Sequence, residues 1–314
     1  MPARPSVSLC IPCYNAAAFL PGLRLDIRSQ SIPFDQILLY DDASNDGTAD
    51  LAEGMGIFTV LRGSTNIGPA GARNACIEAA RGEFLHFHDA DDRMLPHLNE
   101  TLQLEIGDAD VLIAGYQDVD LNTGAELGEP ACHLDINSHP DPTRYLIEHV
   151  VRLQGLYRRR SVVAVNGLSR DLYRLGHEDP DLNIRLAASG ARIRATASVI
   201  TRRMIHPEGF SATRWRDCLA GARVCFTRLL RDLPSRYRTT LLHGLAVNAR
   251  EADNKGHTYE ADEGWRVLKD WGFRQFPSER PVMRVAGRVL GPGLLSAARN
   301  RKAGVALMRA VRGW

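Results

Sequence analysis

Gln36-Ile37-Leu38-Leu39-Tyr40 is a short apolar run that breaks into Asp41-Asp42-Ala43-Ser44-Asn45-Asp46-Gly47-Thr48. Five such residues read as a buried strand, and the turn-forming residues behind them as the loop into a short helix. The same rhythm extends to either side. Upstream, residues 6–12 (SVSLCIP) form a second apolar run, followed by a helix-period segment over 16–30 with Asn15 near its cap and Pro21 in its first turns. Downstream, 57–61 reads as a strand, 69–80 as a helix, 83–87 as a strand, 96–106 as a helix and 111–116 as a strand. Strands alternating with helices of this length predict an α/β fold, Rossmann-like, with a mainly parallel sheet flanked by helices. In such sheets ligands bind beyond the C-terminal ends of the strands.

The composition agrees with an ordinary globular chain. Its 314 residues are 44% hydrophobic, 24% charged and 7% aromatic, which excludes disordered, fibrous and collagen-like classes. No stretch approaches ~20 apolar residues without a charge, so no membrane span is expected. Met1-Pro2-Ala3-Arg4-Pro5 leads straight into a strand-like segment rather than an export signal. The six cysteines are scattered, and Cys10-Ile11-Pro12-Cys13 has no second pair to complete a zinc site and no helix start to make a redox motif. A cytoplasmic location is expected.

Charge divides the chain. Residues 211–314 hold 20 Lys and Arg against 9 Asp and Glu, whereas residues 1–210 hold 19 against 28. Two regions are expected, an α/β domain over 1–210 and a basic, mainly helical C-terminal region over 211–314. The latter has helix breaks near Pro234, Asn254-Lys255-Gly256, Pro277 and Gly291-Pro292-Gly293. It lacks interleaved aromatic and glycine-rich signals, so no nucleic-acid partner is expected. From 281 to 314 seven basic residues, Arg284 to Arg312, alternate with apolar ones and no acid. That pattern suits peripheral contact with an anionic membrane or packing on the acidic domain. Between the two regions, 117–142 is a turn-rich excursion.

Three acidic groups follow predicted strands or precede a helix: Asp41-Asp42, His88-Asp89-Ala90-Asp91-Asp92 and His177-Glu178-Asp179-Pro180-Asp181-Leu182. Taken singly, each reads equally well as a solvated turn or as favourable acids in a helix's first turn. Asp89 and Asp91 can share a divalent cation if the chain turns between them, with diphosphate oxygens and water completing the shell.

In order and spacing the elements together resemble the family 2 glycosyltransferases of the GT-A fold. The resemblance rests on Val7-Ser8-Leu9-Cys10-Ile11-Pro12-Cys13-Tyr14-Asn15, Asp41 to Thr48 ("DDxSxDGT"), Asn66-Ile67-Gly68, Ala72-Arg73-Asn74, Ala80-Arg81-Gly82-Glu83-Phe84, Asp89-Ala90-Asp91-Asp92, and Glu178 to Leu186 ("EDxDLxxRL"). It covers about residues 6–210. It implies a nucleotide-diphosphate sugar donor, with a UDP-sugar favoured, and a hydroxyl acceptor of polysaccharide or glycolipid assembly. It implies Pro12, Tyr14 and Asp42 at the nucleotide base, the Asp42 carboxylate accepting a base N–H. Arg73 is implied as a donor-side contact or as a salt bridge to a neighbouring acid. Asp89 would face the ribose and the metal, and Asp91 would ligate Mn²⁺ or Mg²⁺. Asp179 is implied as the base that takes the acceptor's proton, with inversion at the anomeric carbon. His206 matches loosely a residue that closes over the diphosphate, or is a surface histidine before Pro207.

Two departures refine the reading. His88 stands where the family has an apolar residue and is expected to be packed, its side chain directed away from that of Asp89. Ser211-Ala212-Thr213-Arg214-Trp215 has Ser where processive synthases carry the Gln of Q-x-x-R-W, which favours a single-addition enzyme. A haloacid-dehalogenase-like phosphatase would also place D-x-D after a strand, but it wants Thr or Val where this chain has Arg93. A nucleotide-sugar-binding protein without catalysis would have no need of Asp179.

Overall fold

Seven residues, six of them buried, form β1 (Val7–Cys13), the strand around which the sheet is assembled. The computed structural model describes residues 4–207 and 213–273, so the 281–314 segment and Glu208 to Ala212 lie outside the described residues. β1 pairs in parallel with β2 (Gln36–Asp41) on one side and β4 (Phe84–Phe87) on the other, and β2 with β3 (Thr59–Arg62). The crossovers carry α1 (Leu20–Arg28), α2 (Thr48–Met55) and α3 (Gly68–Ala79). This half is the predicted strand–helix alternation.

Beyond β4 come β5 (Arg93–Met94), α4 (Leu98–Glu105), β6 (Val111–Asp120), α5 (Pro142–Glu148), β7 (Gly155–Arg158), α6 (Arg159–Ala164), α7 (Glu178–Ala188) and β8 (Ile193–Ile205). The described strands form one sheet in the order β3-β2-β1-β4-β7-β6-β8-β5. β6 and β8 are parallel, while β7 runs antiparallel to both β4 and β6, and β5 antiparallel to β8. The sheet is therefore parallel over its first four strands and mixed beyond them. β7 has four residues, too few to show a period in sequence. It fits between its neighbours because a Cβ at Gly155 would lie 1.8 Å from the Leu112 carbonyl oxygen, so that close approach needs glycine.

The helix read over 16–30 begins four residues late, at Leu20. Asn15 adopts a left-handed φ of 51°, and the N–H groups of Ala16 and Ala17 are taken by Thr48 Oγ1 and Asp46 Oδ2, so the chain turns before it can coil. One face of the sheet packs Val7, Leu9 and Ile11 against Leu20, Leu23 and Ile27 of α1 and Leu98 and Leu102 of α4. Each such side chain contributes roughly 1.5–3 kcal/mol of burial free energy. That core makes the strand ends a rigid platform for the loops above them.

The chain divides into two compact units, Met1–Thr213 and Arg214–Trp314. The second holds three described helices, α8 (Trp215–Asp232), α9 (Arg238–Asn254) and α10 (Thr258–Asp270). Their buried stripes, Leu219, Ala222, Phe226 and Leu229 on α8 and Leu241, Leu245 and Ala249 on α9, carry the helical period. Among the described residues no helix is long and apolar enough to cross a membrane.

Candidate active site

The loop after β2 is held by its own polar side chains. Ser44 Oγ accepts the N–H of Asn15, Asn15 Oδ1 accepts that of Asn45, and Asp46 and Thr48 take those of Ala17 and Ala16. The turn-rich residues thus clamp the β2 loop to the loop after β1. This brings Asp41 and Asp42 beside Pro12 and Tyr14, because parallel register sets Pro12 opposite Tyr40 and Cys13 opposite Asp41. Tyr14 is 54% exposed, so its ring is available to a ligand.

Asp42 does not have the freedom expected of a base-reading carboxylate. Its Oδ1 accepts the N–H of Ile67 at 2.7 Å and its Oδ2 that of Gly68 at 2.8 Å. Both oxygens are committed to the start of α3. Its neighbour Asp41 is buried, accepts the Ser44 N–H at 3.3 Å through Oδ2, and leaves Oδ1 without a hydrogen-bond partner. Adjacent residues at a strand end face opposite ways, and sequence alone does not say which of the two meets the backbone of α3.

The turn after β4 is closed by the Asp92 N–H donating to the Asp89 carbonyl at 3.2 Å. The chain therefore bends between Asp89 and Asp91, as a shared cation requires. Asp92, not singled out in the sequence, is buried and accepts the Met204 N–H at 2.9 Å, tying this turn to β8. Burial and the charges of Asp89 and Asp91 push its carboxyl well above the usual range. At the end of β8, His206 Nε2 lies 3.2 Å from Asp91 Oδ2. Burial and the Asp89 charge raise the Asp91 carboxyl, with His206 opposing them. His88 is buried and packs 5.8 Å from His86, and burial lowers its imidazole to about 4. It is a neutral packed residue, as expected.

α7 begins after His177, whose φ of 67° is left-handed and costs about 1–2 kcal/mol. Behind this turn, in the first turn of the helix, Glu178 reaches Arg73 of α3 and Asp179 reaches the backbone just before β7. Asp179 Oδ2 accepts the Leu153 N–H at 3.3 Å, and Oδ1 is buried without a hydrogen bond.

Arg73 of α3 joins the two acidic groups. Its guanidinium is 2.6 Å from Asp89 Oδ1, 2.8 Å from Glu178 Oε1 and 3.6 Å from Asp179 Oδ1. Although burial disfavours a charge there, the three carboxylates keep it protonated. In return it holds the Asp89 carboxyl below the usual range against desolvation. Of its two expected roles, Arg73 takes the ion pair: its guanidinium is buried among acids and turned away from solvent. Burial and the Asp179 charge push Glu178 up to about 7, with Arg73 opposing.

Among the described residues no group of three or more His, Cys, Asp or Glu side chains forms a ready-made cation cage. The donors present nevertheless fit a cation of the Mn²⁺ or Mg²⁺ type. Asp91 and His206 face one another, and Asp89 has committed only one oxygen to Arg73. A hard cation with few protein ligands takes its remaining oxygens from phosphate and water.

Residues 8–129 match the model of the Glycosyl transferase family 2 family. Glycosyltransferase GlyG of Streptococcus pneumoniae serotype 4 is 31% identical over 124 residues, 38% of this chain and 41% of that protein. Cholesterol galactosyltransferase of Borreliella burgdorferi is 29% identical over 99 residues, 31% of this chain and 28% of the relative. The chain spans about a third to two fifths of the length of curated relatives that it matches. Among solved structures, S. aureus TarS 1-349 in complex with UDP-GlcNAc superposes with a TM-score of 0.67 at 20% identity, over 94% of this chain and 91% of TarS 1-349. Mannosyltransferase PcManGT of Pyrobaculum calidifontis, in complex with GDP-Man and Mn²⁺, does so with a TM-score of 0.58 at 17% identity, over 95% and 88%. The strand order, the acidic turns at the strand ends and these matches agree: residues 8–129 are similar to the family 2 glycosyltransferases, and the α/β unit has the GT-A fold.

Proposed function

We propose that this chain is an inverting glycosyltransferase that moves a sugar from a nucleotide-diphosphate sugar, with UDP as the favoured carrier, to a hydroxyl acceptor in a single addition. The observation that carries the reading is the convergence on Arg73 of the donor-side Asp89 and the acceptor-side Asp179. Two acidic groups about ninety residues apart in sequence meet at one guanidinium beyond the strand ends. A solvated surface turn has no use for such an arrangement.

In this reading Pro12 and Tyr14 bracket the base, and Asp41, rather than Asp42, accepts a base N–H through its unpartnered oxygen. Uracil N3–H suits such an acceptor, and TarS, a structural relative, binds UDP-GlcNAc. Asp179 takes the acceptor's proton as the hydroxyl oxygen attacks the anomeric carbon from the face opposite the diphosphate. A divalent cation, Mn²⁺ or Mg²⁺, held by Asp91 with Asp89 and His206, would supply Lewis-acid neutralisation of the leaving diphosphate. Single addition rests on the missing Gln at Ser211. Peripheral membrane contact through residues 281–314, at the cytoplasmic face, belongs to the proposal on charge pattern alone, and a glycolipid or polysaccharide intermediate is the acceptor class it suits.

The test is a thermal-shift and donor-hydrolysis screen of UDP-, GDP-, TDP- and CMP-sugars with and without Mn²⁺. A UDP-sugar should stabilise the protein most, more so with Mn²⁺, and should be hydrolysed slowly without acceptor. A protein indifferent to all four donors would overturn the reading.

A further inference from the structure

Two carboxylates adjacent in sequence, Glu178 and Asp179, face a single guanidinium nitrogen. Arg73 Nη1 is 2.8 Å from Glu178 Oε1 but 3.6 Å from Asp179 Oδ1. The first is a hydrogen-bonded ion pair; the second is too long to be a hydrogen bond. Asp179 Oδ1 is consequently left without a hydrogen bond, although it is buried beside a cation.

We propose that Glu178 is a positioning residue: by taking the nearest N–H of Arg73 it holds that cation off Asp179 and so preserves the basicity of Asp179. The inference rests on the proposed role of Asp179 as base. A carboxylate that accepts a guanidinium hydrogen bond binds protons more weakly and makes a poorer base. Without Glu178, Arg73 has one acid left on that side to pair with, and a negative charge beside Asp179 is lost as well. Both effects act in the same direction.

The other charged or titratable groups facing this point are Tyr157 of β7, Asp89 after β4 and Arg152 before β7, the last acting on Asp89. None is hydrogen-bonded to Asp179. Glu178 itself is pushed to about 7 by burial and by Asp179. Above that pH it is ionised and grips Arg73; below it the grip weakens and Arg73 is released toward Asp179. The rate should therefore fall as pH drops through about 7 because of Glu178.

The test compares wild type, Glu178→Gln and Glu178→Asp, with folding checked by circular dichroism. The Asp179 carboxyl is titrated by ¹³C NMR, its signal identified with Asp179→Asn, and kcat is followed from pH 5 to 9. Glu178→Gln should lower the Asp179 pKa by about one unit and kcat by about threefold at pH 8, remove the inflection near pH 7, and leave UDP affinity unchanged by calorimetry. Glu178→Asp keeps the charge but not the reach, and should share the fall. If Asp179 titrates unchanged in Glu178→Gln, or if Glu178→Asp behaves as wild type, the proposal is overturned. The NMR titration needs no turnover. A shifted Asp179 in a protein that transfers no sugar would sink the transferase reading while the Arg73 coupling stood.

Discussion

Asp42 and Gly68 are joined across 26 residues by one hydrogen bond, 2.8 Å from the Gly68 N–H to Asp42 Oδ2. That bond fixes the start of α3 over the end of β2, and α3 in turn carries Arg73 into the site. The loop after β2 and the ion-pair cluster around Arg73 are thus set by one helix. Gly68 can serve there because its φ is +82°, a left-handed conformation glycine adopts without cost.

A Cβ at Gly68 would lie 1.9 Å from the Tyr173 carbonyl oxygen. Gly68→Ala combines backbone strain with a clash against backbone, and should cost about 3 kcal/mol or more. Differential scanning calorimetry should show Tm lower by roughly 6–12 °C. A variant as stable as wild type would show that the loop carrying Tyr173 yields freely.

Asp41 and Asp42 should separate in their effects. Asp42→Asn turns an acceptor into an NH₂ group facing a backbone N–H, and should cost roughly 1–3 kcal/mol of stability. Asp41→Asn should leave Tm nearly unchanged but weaken UDP binding about tenfold in calorimetry. The opposite pattern would return the base-reading role to Asp42.

Asp179→Asn is nearly isosteric but takes no proton at neutral pH. Transfer should fall by about 10²–10⁴-fold with donor affinity preserved. Normal turnover would move the base elsewhere, with Glu178 and Asp181 the nearest acids on the same helix turn.

Asp91→Ala should abolish the part of UDP binding that depends on Mn²⁺, and His206→Ala should reduce it, with both variants folded. The readout is UDP affinity with Mn²⁺ against chelator. If Mn²⁺ still strengthens UDP binding in Asp91→Ala, that carboxylate is not a ligand.

The raised Glu178 carboxyl has a consequence for stability. Between about 4.5 and 7 the folded state binds this proton more tightly than the unfolded state does, so the contribution of Glu178 to stability is lost as pH rises through that window. The Tm of Glu178→Gln minus that of wild type should therefore become more positive between pH 5 and 8. A constant difference would mean that Glu178 ionises normally in the folded protein.

Much of this protein can be read from sequence, because the information is local. The apolar runs of β1, β2 and β4 and the turn chemistry of Asp41 to Thr48 fall within a few residues, and period and composition carry them. The acids of the site could be named in the same way, together with the packed state of His88. The tertiary structure decided how those residues are paired. β7 is too short to have a period, and its antiparallel place between β4 and β6 depends on Gly155 passing the Leu112 carbonyl. Asp42 rather than Asp41 meets the α3 backbone because the strand end fixes which side chain faces it. Arg73 is an ion-pair hub because α3 and α7 approach each other from segments more than a hundred residues apart in sequence. Composition and spacing record which side chains are available to a site. Which charge faces which, and at what distance, depends on long-range packing, and here that is the difference between 2.8 Å and 3.6 Å at a single nitrogen.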